Sequence, residues 1–300
     1  MIIENLLIAC DQRLKNNRHG KPCPNDGINN GCESCLHSIH FPTEDSPQKK
    51  YDCVHMADYY VCKYTYKYTS ELIYAFDQLS DLLKRSEHLN VLSFGCGPCT
   101  DLLALDFLRH TKKFSYSSIS FRGIDYNTSN VWNKVHADIM RIKNQSTDIT
   151  FEYRDACEII NDLVETTWIP DIVTFQYFFS DMGKNTEPSA INEFLCKLAT
   201  FANNNMREHS YIVLNDINLS TTYPSGCREY FNKLFECLHK GRFIMDFGYF
   251  HNDSQPHTYA YGHKFENNTL FFKTNSMAMY NPPSNCSSAQ MLIKKDGKTT

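Results

Sequence analysis

From residue 89 onward, short apolar runs alternate with segments of helical periodicity, and this alternation limits the chain to few folds. A strand followed by a helix returns to the sheet parallel to its predecessor, so the pattern favours an α/β fold with helices on both faces. The predicted strands occupy residues 91–94, 119–124, 149–153, 171–177, 211–216, 243–250 and 270–273. No convincing helix separates the last two, so one is expected to run antiparallel. The sequence therefore predicts a Rossmann-like, seven-stranded sheet.

The sequence divides into three parts around this pattern. Residues 1–88 are predicted to form a helical extension, with a loop-like stretch at 18–50 that Gly and Pro punctuate. A helix without Gly or Pro is predicted from Asp52 to about Leu89, with a break near Thr69–Ser70. Residues 89–280 are predicted to form the α/β domain, and the polar residues 281–300 a loose tail.

Composition and charge exclude several classes of function. The net charge of −4 and the pI near 6.3 give no basic footprint, so we expect no strong independent binding of nucleic acid. A nucleic acid delivered by a partner stays open. No apolar run reaches the roughly 20 residues that span a bilayer, so no membrane partner is expected. The 13 cysteines are an odd number without a signal peptide, which predicts reduced thiols and a cytoplasmic protein.

A glycine-containing segment, Gly95-Cys96-Gly97-Pro98, follows the first predicted strand and precedes a helix. Cofactors bind at the carboxyl ends of strands in such sheets, and glycines there permit close approach of the backbone. Asp125 ends the second strand, where a carboxylate can accept hydrogen bonds from both ribose hydroxyls. Asp155 ends the third strand, within reach of an adenine. Thr100 stands where a dinucleotide fingerprint has its third glycine, which disfavours NAD and FAD.

The segment and the two acids resemble those of the class I S-adenosylmethionine-dependent methyltransferases, over about residues 89–275. The resemblance implies S-adenosylmethionine as cofactor, with its methionine moiety at Gly95 and Gly97 and its ribose at Asp125. Ser93 and Cys99 replace the usual acid and last glycine of the motif, and Asp101 is the candidate substitute for holding the methionine amino group. The full predicted set of cofactor contacts is Gly95, Gly97, Pro98, Asp101, Asp125, Tyr126, Asp155, Ala156, Gln176 and Tyr68.

Two other interpretations of the same segment stay open. Cys96 and Cys99 form a Cys-x-x-Cys pair, and a thiol at a helix N-terminus has a depressed pKa, as in thiol-disulfide redox proteins. The glycines could also serve packing alone.

The end of the fourth strand is expected to face the transferred methyl group. Asp181 could act there as a general base or lie in the N-cap region of the next helix, and Tyr177 is the second catalytic candidate. Neither an Asn/Asp-Pro-Pro-aromatic tetrad nor a Pro-Cys nucleophile follows this strand, so the acceptor stays undefined: a nucleic acid base, a protein or a small planar molecule. The tyrosine-rich helix at 59–74 could contact cofactor or substrate through Tyr64, Tyr66, Lys67 and Tyr68, or belong to the core.

A second cysteine pattern lies in the extension. Cys23, Cys32, Cys35 and Cys53 could bind one structural zinc ion, because a Cys-x-x-Cys pair with two further thiolates completes a tetrahedron. His19, His37, His40 and His55 are alternative ligands, and a loop with idle thiols is the alternative without metal. This segment, within about residues 19–55, could also dock a protein partner. The alternative to an enzyme is then a non-catalytic S-adenosylmethionine-binding module.

Overall fold

The structure is a computed structural model that describes residues 1–16, 31–40, 51–111, 114, 116–126, 130–165, 167–218, 227–238, 241–251 and 260–296. Within these ranges, four helices precede the first strand: α1 (Ile2–Lys15), α2 (Gly31–His40), α3 (Val54–Gln78) and α4 (Ser80–Arg85). The alternating part follows as β1 (His88–Phe94), α5 (Thr100–His110), β2 (Ser118–Ile124), α6 (Asn133–Ile142), β3 (Thr147–Glu152), α7 (Ala156–Glu165), β4 (Ile172–Gln176), α8 (Phe178–Asn185), α9 (Pro188–Asn204) and β5 (Tyr211–Ile217). The last elements are α10 (Cys227–Cys237), β6 (Phe243–Tyr249), β7 (His263–Lys264), a 3-10 helix (Thr274–Tyr280) and β8 (Ser288–Lys295).

The strands form one mixed sheet in the order β3-β2-β1-β4-β5-β8-β6-β7. The first five strands pair in parallel, as the alternation predicts, and β8 runs antiparallel to both β5 and β6. The chain extends the sheet from β1 towards β3 and then crosses back to β4. The carboxyl ends of β1 and β4 therefore lie side by side at the point where the order reverses.

Two apolar cores cover the two faces of the sheet. Val91 and Leu92 of β1 contribute to different cores, as the two-residue repeat of a strand requires. The core that contains Val91 also contains residues of α1, α3, α5 and α6, and the core that contains Leu92 contains residues of α7, α8, α9 and α10. Helices α1 and α3 of the extension thus share one core with the sheet.

The end of the chain differs from the prediction. The sheet has eight strands rather than seven, and residues 270–273 do not form one. Residues 281–300 are not simply a loose polar tail, because Ser288–Lys295 is the buried strand β8 between β5 and β6. Its polar side chains have buried partners. Gln290 donates to Asn215 Oδ1 at 2.8 Å, and Lys295 Nζ donates to three carbonyls at the end of α9, including Ala202 O at 2.9 Å.

Helix α3 is the longest described helix, with 25 residues, and it continues through Thr69–Ser70 instead of breaking there. The Ser70 hydroxyl donates to Tyr66 O at 2.7 Å and accepts from Phe271 N at 3.0 Å, so this polar residue is satisfied inside the helix. The helix ends at Leu79, just before α4. Within the described part of the chain, no helix combines the length and apolar character that crossing a membrane requires.

Candidate functional site

The segment from Gly95 to Pro98, called the glycine turn below, joins β1 to α5 at the point where the strand order reverses. In open α/β sheets the crevice outside the carboxyl ends of the strands at this point is the usual place for a ligand. Gly95 is exposed, whereas Gly97 and Pro98 are buried. The backbone of Gly95 is therefore the part of the turn that faces the crevice.

The backbone of the turn requires glycine at its first position. Gly95 has φ +61°, and a Cβ added there would lie 2.8 Å from Phe178 Cδ2. Both the left-handed conformation and the close approach of the Phe178 ring exclude a larger residue. Gly97 also has positive φ, +42°, but a Cβ there would meet Trp132 at an ordinary 3.6 Å. Cys99, at φ 56°, begins α5 in the left-handed region without glycine.

Asp125 ends β2 beside the turn, as predicted. Its Oδ2 accepts a hydrogen bond from Gly97 N at 2.8 Å, and its Oδ1 accepts none from the residues that the structure describes. The pKa of this carboxyl is raised to about 6, chiefly by burial and in smaller part by the charge of Asp181, while the hydrogen bond from Gly97 N lowers it. The turn thus holds one oxygen of a partly buried acid and leaves the other available to a hydroxyl donor.

The predicted adenine contacts lie further along the same edge of the sheet. Asp155 accepts a hydrogen bond from Cys157 N at 2.7 Å and so caps the start of α7, while Ala156 is buried. Tyr126 follows Asp125 directly and is 68% exposed. Sequence reasoning placed Asp155 at the end of the third strand, and the structure places it in the connection between β3, which ends at Glu152, and α7, which begins at Ala156.

Asp101, the candidate substitute for the missing acid, lies beneath the turn. It is 3% exposed, and its carboxylate accepts hydrogen bonds from Ser93, Thr174 and Leu102 N. Burial nevertheless raises its pKa. These partners tie β1, β4 and α5 together, so a contact to a cofactor amino group would have to replace one of them.

Gln176 and Tyr68 connect the end of β4 to α3 and α5. Gln176 Nε2 donates to Tyr68 O at 2.7 Å, and Gln176 Oε1 accepts from Thr100. The Tyr68 ring lies 4.2 Å from the Tyr177 ring between centroids. Tyr68 is 7% exposed, so it belongs to the core, as one of the two interpretations of the tyrosines on α3 predicted. Its ring nevertheless lies at the end of β4, where the site is expected.

Tyr177 stands at the N-cap of α8 with φ 53°, directly after β4. Its hydroxyl donates to the buried carboxylate of Glu71 at 3.0 Å. Burial raises the pKa of the Tyr177 phenol well above its ordinary value, and the negative charge of Glu71 raises it further. The phenol is therefore a neutral hydrogen-bond donor rather than a base.

Asp181 lies one turn into α8, so it is not the N-cap residue. Its side chain is exposed, and Asn185 Nδ2 donates to its Oδ1 at 3.3 Å. The surrounding protein raises the pKa of its carboxyl by partial desolvation, while Lys184 lowers it. The negative charge of Asp181 contributes to the raised pKa of Asp125, whereas the pKa of Asp181 itself is raised chiefly by desolvation.

Three residues that sequence reasoning missed, Trp132, His136 and Glu71, hold this arrangement in place together with Phe178, which the sequence offered as a substrate-stacking or core residue. Trp132 covers Gly97, and His136 Nε2 donates to Gly97 O at 2.7 Å. Phe178 packs on Gly95, and Glu71 anchors Tyr177. Glu71 carried a usable signal, because it is a charged residue within the apolar face of a predicted helix. The contacts of Trp132 and His136 depend on how α6 packs, which the local sequence does not show.

Cys96 and Cys99 lie behind the turn with His136, and the three ligand atoms are within 4.8 Å of one another. Burial lowers the pKa of His136 to about 4, so the ring is neutral. Because the Gly97 carbonyl can only accept, Nε2 carries the ring hydrogen and cannot ligate a metal in this arrangement. Burial also raises the pKa of both thiols, contrary to the depression expected at a helix N-terminus. Both observations weigh against thiolate chemistry at this pair.

The cysteines of the predicted zinc site lie where α2 meets the start of α3. Cys35 is buried against Met56 in a small apolar cluster, and the partly buried Cys53, the N-cap residue of α3, packs on it. Cys32 is half-buried near Tyr59, while Cys23 lies outside the described residues. Within the described ranges, Cys32, Cys35 and Cys53 do not by themselves form a three-ligand group.

No protein-family model matches the chain, and no curated protein does. Solved structures of similar fold include a Clostridium thermocellum protein named for a proposed rRNA-methylase activity, with 10% identity, a TM-score of 0.43, and coverage of 75% of this chain and 96% of that one. A Listeria monocytogenes protein provisionally assigned to the class I S-adenosylmethionine-dependent methyltransferases has 12% identity and a TM-score of 0.41, covering 79% and 63%. A Methanosarcina mazei S-adenosylmethionine-dependent methyltransferase has 13% identity and a TM-score of 0.34, covering 71% and 95%. These likenesses are distant, and the function is therefore inferred from the residues of this chain.

Proposed function

We propose that the protein is an S-adenosylmethionine-dependent methyltransferase. The observation that supports this most is Asp125, whose Oδ2 is held by Gly97 N at 2.8 Å at the point where the strand order reverses. Its second oxygen accepts no hydrogen bond from the part of the chain that the structure describes, although burial has raised the pKa of the group. A ribose diol would supply the missing donors. The residues present therefore fit the nucleoside part of this cofactor.

The remaining cofactor contacts follow from position. Gly95 presents an exposed backbone to the crevice, and Asp155, Ala156 and Tyr126 line the edge where adenine is expected. When bound, S-adenosylmethionine supplies an electrophilic methyl group. The task of the chain is then to hold an acceptor in line with that methyl group, since positioning contributes most of such catalysis.

Asp181 and Tyr177 have different roles next to the methyl acceptor: Asp181 accepts a proton, and Tyr177 positions neighbouring groups. Asp181 is exposed on α8, the helix that follows β4, and its raised pKa favours accepting a proton from an acceptor O–H or N–H group. Tyr177 is held at the end of β4 by Glu71 and serves to position rather than to accept protons.

The proposal predicts turnover that depends on Asp181. We expect the purified protein to produce S-adenosylhomocysteine from S-adenosylmethionine when an extract fraction containing the acceptor is added. Asp181→Asn should lower this rate about 100-fold, within the usual range for loss of a general base, while binding S-adenosylmethionine within about twofold of the parent. Cofactor binding without turnover in any fraction would instead favour the non-catalytic binding module.

The raised pKa of Asp125 predicts a pH dependence of cofactor binding. An ionised carboxylate accepts hydrogen bonds from ribose hydroxyls more strongly, so the Kd should be about tenfold higher at pH 5 than at pH 7, given a pKa of about 6. Because the folded-state pKa lies above the unfolded value, ionisation of Asp125 costs stability. Its favourable contribution is complete at low pH and is lost as pH rises from about 4 to 6. Binding and stability should therefore change in opposite directions.

Calorimetric titrations at several pH values check this prediction. A second carboxyl, Asp216, has a pKa that is also raised to about 6, and it accepts a hydrogen bond from Ser180 N at the start of α8. A variant is therefore needed to show which of the two groups titrates. Asp125→Asn should flatten the pH profile of the Kd. If the tenfold dependence persists in this variant, Asp125 is not the titrating group.

We further propose that the cysteine-rich segment binds one structural zinc ion. Packing of Cys35 and Cys53 in one cluster at the α2–α3 contact supports this, since it brings distant parts of the pattern together. Cys32 and Cys35 are three residues apart on α2, so their side chains lie on the same face of the helix and could bind one metal ion together. A thiolate set without an open position would order the segment rather than catalyse a reaction.

Metal analysis tests the zinc proposal. The purified protein should contain about one zinc per chain, and Cys35→Ser should lose most of it. The matched control is Cys157→Ser, which changes a partly buried cysteine of α7 and should leave the zinc content unchanged. A stably folded protein without metal would contradict the proposal.

A further inference from the structure

Two cysteines on the helices that cover one face of the sheet form a close pair at the protein surface. Cys196 lies within α9 and Cys237 is the last residue of α10, 41 positions further along the chain. Their Sγ atoms are 3.4 Å apart, and both side chains are exposed. We propose that Cys196 and Cys237 are an oxidation site, at which a peroxide forms an intramolecular disulfide between α9 and α10.

The packing of the two helices keeps the sulfurs together. Leu195 and Leu198 of α9 lie in the same core as Leu234 of α10, so the two helices that carry the cysteines pack on a shared apolar cluster. Bond formation requires the two sulfurs to approach from 3.4 Å to about 2.05 Å. Because folding already brings the two thiols into contact, most of the entropy cost of closing the loop precedes formation of the bond.

Exposure separates this pair from the other cysteines. Among the eleven cysteines whose side chains the structure describes, only Cys196 and Cys237 are exposed. Cys96 and Cys99 are also close in sequence, but both are buried behind the glycine turn. An oxidant dissolved in water should therefore reach this pair before the other nine cysteines whose side chains the structure describes, because susceptibility follows access as well as thiolate character.

The reaction balances with hydrogen peroxide as the two-electron oxidant. The thiolate of one cysteine attacks a peroxide oxygen, the O–O bond breaks, and a sulfenic acid and one water result. The second thiol attacks the sulfenic sulfur, the S–S bond forms, and the hydroxyl leaves as a second water. Two thiols thus lose two protons and two electrons, and one peroxide becomes two waters.

The bond would tie together the helices that support α8. Phe179 of α8 contacts Tyr230 and Phe231 of α10, with ring centroids 6.1 and 6.0 Å apart. Cross-linking α10 to α9 therefore fixes the layer against which α8 rests. Since the disulfide closes a loop of 41 residues, its formation should raise the Tm by about 5 °C or more.

Graded peroxide treatment of the full chain tests the proposal. After free thiols are blocked with N-ethylmaleimide and the protein is digested, mass spectrometry should show a cross-linked peptide pair containing Cys196 and Cys237, two hydrogens lighter than the reduced peptides. Dithiothreitol should reverse this change. Oxidation of Cys96 and Cys99 in the folded protein should be at least about tenfold slower.

Single variants give the control. Cys196→Ser and Cys237→Ser should each fold, lack the cross-linked peptide and show no rise in Tm after peroxide treatment. Three results would overturn the proposal: both cysteines oxidised to sulfinic acid without a cross-link, a disulfide that joins two chains on a non-reducing gel, or no oxidation at peroxide concentrations that oxidise the unfolded chain.

Discussion

Asp125→Ala should abolish measurable binding of S-adenosylmethionine, with a Kd raised about 100-fold or more. The substitution removes the acceptor expected for two ribose hydroxyls, and hydrogen bonds to a charged group contribute about 1.5–3 kcal/mol each. It also removes the acceptor of Gly97 N, which shapes the turn. Isothermal titration calorimetry with the purified variant measures the effect directly.

A graded variant and a matched control make this result specific. Asp125→Asn keeps an oxygen for Gly97 N but loses the charge, so its Kd should rise only about tenfold. Asp148→Ala changes an exposed aspartate on the neighbouring strand β3 and should leave the Kd unchanged. Asp125→Asn should retain thermal stability, because it keeps an acceptor for Gly97 N and removes an ionisation that is unfavourable in the folded chain. Unchanged affinity in Asp125→Ala would refute the cofactor assignment.

Glu71→Ala should be among the most destabilising single substitutions in the protein, by about 3–5 kcal/mol in the free energy of unfolding. Glu71 is fully buried in α3 and accepts hydrogen bonds from three elements. Tyr177 Oη and Asn215 Nδ2 donate to Oε2 at 3.0 and 3.1 Å, and Ser287 N donates to Oε1 at 2.9 Å. The substitution would leave these buried donors unsatisfied and Lys67, 3.7 Å away, without its partner carboxylate.

Denaturant unfolding measures this loss, and a mutant cycle assigns it. Glu158→Ala, at an exposed position of α7, should stay within about 0.5 kcal/mol of the parent. Glu71→Ala combined with Tyr177→Phe should cost less than the sum of the two single changes, since both remove the same hydrogen bond. Additive effects would show that Glu71 and Tyr177 are energetically independent, contrary to their 3.0 Å contact.

The parallel part of the sheet was predictable from sequence because its strands are short apolar runs, with β4 and β5 buried on both faces and β2 buried at every second residue. Residues 91–94, 119–124 and 211–216 were predicted as strands, and each lies inside an observed one. An apolar run that ends in turn residues predicts a strand from local sequence alone. For the same reason, Asp125 and Asp155 could be placed at the carboxyl edge of the sheet before any tertiary contact was known.

Strand β8 was not predictable, because its polar side chains are satisfied only by distant residues. Ser288 and Gln290 resemble a solvated tail in the sequence, yet both bond to Asn215 in β5. Lys295 is 4% exposed and satisfies the carbonyls at the end of α9. Local composition indicates polarity and cannot distinguish a side chain in water from one with buried partners.

The contacts around the candidate site were predictable only in part. The glycine turn has a local signature, whereas Trp132 and His136 contribute through the docking of α6, which nothing near them in the chain specifies. Positions fixed by backbone conformation could therefore be identified from sequence, and positions fixed by packing between elements could not.

The place of β8 in the sheet also sets an order of assembly that differs from the order of synthesis. Strand β6 (Phe243–Tyr249) reaches the rest of the sheet only through β8, which begins at Ser288. Strand β6 therefore has no partner on the side of β5 until β8 has been synthesised and has paired with both strands. A nascent chain released up to about β7 would carry a completed parallel half beside an unpaired β5 edge, which is a site for mispairing with another chain. Folding of this protein on the ribosome should consequently remain incomplete until its last strand is available.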